Sequence, residues 1–344
     1  MKLSVCACAI GIALGSLSGG MSIAQESVED FYRGRTMKLT VGSAAGSGFT
    51  LYARVLARYM PQHVPGSPAM VIENLPGASG LRHMDHLVTV AAKDGSVIGL
   101  LNPSVTTAPL MTPESAKHTS EKLAWIGSAN SEVSTCHVYP HAKVQSAEDL
   151  RTRELVFGGS GAAGSSGIGA QLLKSMFGFK FRIVSGYQGS ADIMLAGARG
   201  EVDGACILLS SALKAQYWSN FQRGEFSVIL QMPPGNHPDL KGVANATDFA
   251  TTEEQRQALE FVNGFWAYGR PFAAPAQIPV DRLAALRVGF KATLEDQGFL
   301  TEANKVGLDV AYMDPDEIER RVKAIERTPK AVVDKVLALI PASK

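Results

Sequence analysis

The chain has 344 residues, with 33 Lys and Arg against 32 Asp and Glu, 46% hydrophobic residues, 34 Gly and 17 Pro. A near-neutral chain without basic blocks is not built around a polyanion, which argues against nucleic acid as a partner. The apolar fraction suits a folded protein rather than a disordered one, and the length allows two domains of about 100–200 residues each. No internal apolar run reaches the roughly 18–20 residues that a membrane-spanning helix needs.

The first segment reads as an address. Lys2 precedes an apolar stretch, Val5 to Leu17, and small residues follow as far as Ser22-Ile23-Ala24, before Gln25. A positive n-region, an apolar h-region and a small-x-small site predict a cleavable secretory signal over residues 1–24. Its removal takes away one Lys and no acid, leaving 32 residues of each sign. It also takes Cys6 and Cys8, leaving Cys136 and Cys206. An exported compartment permits a disulfide between these two. Two buried free thiols is the other reading, and spacing does not decide between them.

Beyond the signal, β-like runs alternate with helical patterns. Strands are expected at 38–41, 69–72, 97–101, 155–157, 182–184, 202–208 and 227–230, and helices at 51–59, 168–177, 191–198 and 212–218. Strands separated by helices of this length predict an α/β protein whose parallel sheets are covered by helices. The tail reads as helical at 280–295, 301–306 and 315–339, with one strand candidate at 310–312. No low-complexity linker is present, so two domains are expected to be joined by crossing strands. Hinges are expected near 125–138 and 228–266, with Trp125 and Trp266 as reporters or core residues.

Two glycine-rich loops carry most of the chemical information. They are Val41-Gly-Ser-Ala-Ala-Gly-Ser-Gly-Phe-Thr50 and Gly158-Gly-Ser-Gly-Ala-Ala-Gly-Ser-Ser-Gly-Ile-Gly169, each between a strand and an amphipathic helix. Glycine lets backbone approach a ligand closely, and a helix N-terminus presents free N–H groups with a favourable dipole. Ser47, Thr50, Ser165 and Ser166 have hydroxyls that cap the helices or donate to the same anion. Two such turns facing one cleft suit a small carboxylate without a buried Lys or Arg; the competing reading is plain capping and tight helix–sheet packing.

Other chemistries find less support. Gly159-Ser-Gly161-Ala-Ala-Gly164 fits G-x-G-x-x-G, but the acid expected about 20 residues on is missing from Phe179 to Ile183. Neither loop carries a Walker-type Lys, and no G-x-S-x-G elbow occurs. The seven histidines lack H-E-x-x-H spacing, and Pro140 interrupts Cys136, His137 and His141. They are read as surface or capping residues, with no metal and no cofactor expected. No nucleophile–base pair stands out, so no catalytic residue is assigned.

The stretch Val41–Arg54 resembles the first loop and helix of the Bug-type receptors, the periplasmic substrate-binding proteins of tripartite tricarboxylate transporters. Further segments fit in the same order: Val71-Ile-Glu-Asn-Leu-Pro-Gly-Ala-Ser-Gly80, Asp94-Gly95 before 97–101, Phe157-Gly-Gly-Ser-Gly161, Tyr187-Gln-Gly-Ser190, Gly200-Glu-Val-Asp203, and Phe265 to Pro279. The similarity runs over about residues 30–340. It implies a type II, Venus-flytrap fold of periplasmic-binding-protein kind, each lobe a mostly parallel sheet flanked by helices. The lobes would be 25–130 plus 250–344, and 131–249. The ligand would be a small organic carboxylate, gripped by backbone groups and waters of the two glycine loops.

By this resemblance Ser43, Ala44, Gly46, Ser47, Gly48 and Thr50 line the first lobe's side. Ser160, Ala163, Ser165 and Ser166 line the second, Tyr187 and Gln188 border the cleft, and Ile207, Leu208 and Ser210 approach it. Thr50 stands where the family often has an acid, which disfavours an amino-acid ligand. Cys206-Ile-Leu-Leu-Ser210 replaces a more polar segment, which favours an aromatic or alkyl body on the carboxylate. The implied protein is a monomeric periplasmic receptor that hands its ligand to the membrane permease subunits. A sensor component for a membrane kinase and an exported α/β enzyme are the rival readings.

Overall fold

The structure, a computed structural model, describes residues 26–159, 165–187, 190–233 and 235–338. The expected signal segment, Ser160, Ala163 and Gln188 lie outside these residues.

Eleven strands form two sheets among the described residues. In chain order they are β1 (Thr36–Val41), β2 (Ala69–Asn74), β3 (Val97–Leu100), β4 (Leu123–Ser128), β5 (Ser134–Val138), β6 (Leu155–Gly159), β7 (Phe181–Ser185), β8 (Gly204–Leu209), β9 (Ser227–Gln231), β10 (Ala244–Asn245) and β11 (Pro271–Pro275). The first sheet runs β2-β1-β3-β11-β4, and the second runs β10-β9-β5-β8-β6-β7. The chain therefore crosses between sheets twice, over 129–133 and 246–270.

Each sheet has one antiparallel strand. β11 is antiparallel to β3 and β4, and β5 is antiparallel to β8 and β9. Each is the strand by which the chain enters its sheet from the other one. The remaining pairings are parallel, so the C-terminal ends of β1, β2 and β3 lie together, as do those of β6, β7 and β8. Near-continuous apolar runs suit doubly covered strands such as β3 and β11, and β5, although it reads Ser-Thr-Cys-His-Val, is likewise buried at every position.

The core follows this plan. Met37, Leu39 and Val41 of β1 pack with Phe272 and Phe290 on one side of the first sheet. Its other side, with Leu87 and Trp125, joins Phe157 and Leu173 of the second lobe in one cluster that passes through Phe261, Phe265 and Tyr268. The second crossing is thus a packed body, built largely by the helix Glu253–Asn263. That helix announces itself in sequence by a capping box, Thr252 with Gln255.

Cys136 and Cys206 face one another across β5 and β8 and are disulfide-bonded. The tail differs from its expected pattern: among the described residues the helix expected at 315–339 is two helices, Pro315–Glu326 and Lys330–Ala338, with Pro329 between them. The strand expected at 310–312 is reduced to an isolated Ser128–Met313 bridge. The helix expected at 212–218 is split by a π-helical turn, Leu213–Tyr217. The two histidines His83 and His137 are fully buried rather than superficial. Desolvation pushes them down to about 3 and about 4, so both are neutral.

Candidate functional site

The first loop is braced from within. Ser47 caps the helix Gly48–Tyr59, its Oγ accepting from Thr50 N at 3.2 Å. Ser43 and Ser47 hydroxyls lie 2.6 Å apart. Thr50 Oγ1 donates to Ala44 O and accepts from Asn74 Nδ2, which also donates to Ser43 O. Thr50 is buried and ties the loop to β2. Ala44, Gly46 and Gly48 are exposed, and the first amides of the helix have no intrahelical acceptor. Of the residues named from sequence, the backbone at 44–48 is what this loop offers a ligand.

On the second lobe, β6 ends at Gly159 and the helix Ser165–Phe177 opens with Ser165 and Ser166. Tyr187 follows β7, and its ring lies over Gly158: a Cβ there would sit 3.5 Å from Tyr187 Cε2. Ile207 lies on β8. Leu208, expected near the cleft, is buried in the second lobe's core with Val133 and Leu213. Ser210, just past β8, is 2% exposed and its hydroxyl is committed. It accepts from Val133 N and donates to Glu132 Oε2.

Glu132 and Arg270 join the two halves. Glu132 lies in the first crossing and Arg270 at the end of the second; they are 0% and 4% exposed, with Arg270 Nη2 2.7 Å from Glu132 Oε1. Glu132 also accepts from Ser211 N at 3.0 Å and from the Ser210 and Ser211 hydroxyls. Burial alone would raise the Glu132 carboxyl, but the Arg270 charge and these hydrogen bonds outweigh it, and the group is held below its ordinary range. Arg270 stacks over Phe49 at 4.3 Å and Tyr52 at 5.0 Å, and its Nη2 reaches Ser211 Oγ at 3.3 Å. One guanidinium thus touches the start of the helix after β1 and the turn after β8. Gly269 permits this approach, since a Cβ there would meet Glu132 Cγ at 2.3 Å.

Sequence reasoning passed over this pair because it asked for a site without a buried cation. The available signal was a lone charge beside an all-apolar strand, Arg270 before Pro271–Pro275.

A second charged group spans the same seam. Asp309 follows Leu308 of the first lobe's core, while Lys214, His237 and Asp239 belong to the second lobe. Lys214 Nζ is 2.7 Å from Asp309 Oδ1 and 3.0 Å from Asp239 Oδ2. Burial raises the Asp309 carboxyl, against the lowering effect of Lys214. His237, Asp239 and Asp309 are spaced to hold a metal ion. However, His237 Nδ1 accepts from Asp239 N, which leaves the proton on Nε2, the atom facing Asp309. With Lys214 between the carboxylates, the arrangement works as an interlobe ion cluster.

The geometry is that of two sheets joined by two crossings, with strand C-termini facing a shared seam. No family model and no curated protein matches the chain. Solved structures do. A TctC solute-binding protein from Polaromonas is 19% identical, with a TM-score of 0.69 over 88% of this chain and 99% of its own. The R. palustris protein Rpa4515, with adipate, is 20% identical, with a TM-score of 0.63 over 89% and 97%. MatC from Rhodopseudomonas palustris, with bound malate, is 16% identical, with a TM-score of 0.59 over 87% and 99%. These likenesses establish the fold: the chain has the two-lobed architecture of periplasmic binding proteins, each lobe a mixed, mostly parallel sheet flanked by helices.

Proposed function

We propose that this chain is an extracytoplasmic solute receptor that binds a small organic carboxylate between its lobes. The observation that carries the reading is the meeting of two strand-to-helix turns at one seam, bridged by Arg270 between Phe49 and Ser211. α/β ligands bind outside strand C-termini, and helix starts there favour anions. Structural neighbours holding adipate and malate support a carboxylate as the ligand class. The lobes follow the two sheets, as 25–130 plus 250–344 and 131–249, with the helix Glu253–Asn263 at the seam.

The site residues of this reading are the backbone at 43–48 with Ser47 and Thr50 bracing it, the turn from Ser160 through Ala163 to Ser165 and Ser166, Tyr187 with Gln188, and Ile207, with Ser210 behind it holding Glu132. Ligand contacts from both lobes favour the closed state, which a permease of the tripartite tricarboxylate type recognises. The receptor is monomeric, periplasmic and non-catalytic. No helix among the described residues is long and apolar enough to cross a membrane.

The test is a thermal-shift screen of the purified protein against organic acids, followed by calorimetry. A ligand at a hundredfold over its dissociation constant adds about 2.7 kcal/mol of apparent stability. Saturable one-to-one binding of an acid recovered unchanged is the expected result. Conversion of the compound, or no acid binding at all, overturns the reading.

A further inference from the structure

We propose that Arg270 supplies the fixed positive charge that selects an anionic ligand at the start of the helix Gly48–Tyr59, and that Glu132 tempers that charge from the second lobe. The inference rests on the receptor reading and names the residue pair that sets its charge preference.

Four observations converge. Gly48 is exposed, and a Cβ on it would sit 3.9 Å from Arg270 Nη2, so the guanidinium underlies the open first turn of the helix. Stacking on Phe49 and a bond from Nη1 to Gly269 O hold it in place. Its Nε–H is buried without a partner, which leaves a guanidinium donor unfilled. Finally, a guanidinium beside a helix N-terminus sets positive against positive, an arrangement that an anion in front of the turn relieves.

Glu132 does not fill that position. Its two oxygens are occupied by Ser210, Ser211 and Arg270 Nη2, on the second-lobe side of the guanidinium. The carboxylate therefore anchors the cation to the turn after β8 and offsets part of its charge. The two members of the pair act on an incoming anion with opposite sign.

That opposition gives the test. Adipate and its neutral diamide are titrated into the full chain and into Arg270→Gln, Glu132→Gln and the double variant; should another acid win the screen, it and its primary amide take their place. The readout is the ratio of acid to amide affinity, with melting temperature recorded for each protein. Arg270→Gln is expected to lower the ratio about tenfold or more, and Glu132→Gln, lying farther from the helix start, to raise it by a smaller factor of about three. The double variant keeps amide groups at both positions and no buried charge. With no uncompensated buried charge, it is expected to melt above either single variant, with a ratio below wild type. A purely structural pair would move both single variants in the same direction. That result, or an unchanged ratio in Arg270→Gln and the double variant, overturns the proposal and leaves the receptor reading standing. Absence of binding by every acid to the wild type overturns both.

Discussion

Removing the Cys136–Cys206 crosslink is the perturbation whose size follows most directly from the structure. The two residues are separated by 70 positions and pair directly across β5 and β8, where both are buried. The closed loop contains β6, β7 and the helices Ser165–Phe177 and Ser190–Ala198, which include the second glycine turn. Tying a loop of that length removes unfolded-chain entropy worth about 4 kcal/mol at 25 °C. The variant Cys136→Ala/Cys206→Ala loses this constraint and a little packing, about 1 kcal/mol. For a chain of this length, an unfolding entropy of about 2.1 cal/mol/K per residue makes each kcal/mol worth about 1.5 °C, so its melting temperature should fall by roughly 7–8 °C. Calorimetry of wild type and variant, each with and without reductant, is the assay. Reductant should reproduce the loss in the wild type and leave the variant unchanged. A variant within about 1 kcal/mol of wild type would refute the argument, because the second lobe would then need no covalent tie.

Two further outcomes follow from close packing and buried histidine. Gly269→Ala places a methyl 2.3 Å from Glu132 Cγ and 2.8 Å from Asn130 Oδ1, both in fully buried side chains. It should cost about 1–3 kcal/mol, read by urea unfolding; a variant as stable as wild type would show that the pair is not clamped as described. His137 is fully buried with neither ring nitrogen hydrogen-bonded, and desolvation lowers it to about 4. Its folded-state value lies below the unfolded one, so stability present above about 6.5 is lost as pH falls towards 4. His137→Phe keeps the ring contacts with Tyr139 and Phe226 and should remove roughly 3 kcal/mol of that slope between pH 7 and 4. Parallel stability–pH curves for the two proteins would sink this assignment.

Much of the architecture was legible because it depends on local pattern. Apolar runs such as Leu39 to Val41 and Leu155 to Phe157 fit buried strands, and the Gly/Ser cluster after the first of them holds a turn. Ser47 acts as a cap in the place where a hydroxyl before an amphipathic run predicts one. The strands read least well were β4, β5 and β11. β4 leads into the first crossing and β5 out of it with no helix between them, and β11 leaves the second crossing; β5 and β11 run against their neighbours. The tail's split at Pro329 was missed when 315–339 was read as one helical stretch, although proline removes a helical N–H.

What the sequence alone determined is the kind of object: an α/β chain with glycine-rich segments at strand ends and, in the first of them, the hydroxyls to brace it. Those features are encoded within a few residues of one another. The tertiary structure alone decided which distant groups meet. Cys136 and Cys206 were compatible with pairing or with free thiols until strand register set them opposite each other. Thr50, open to a ligand role by its spacing, is turned inward to Asn74. Arg270 and Glu132, 138 positions apart by their numbering, form the bridge between lobes that no local pattern announces. A buried ion pair depends on where two crossings pass one another, and that is a property of the folded chain's path rather than of any window of its sequence.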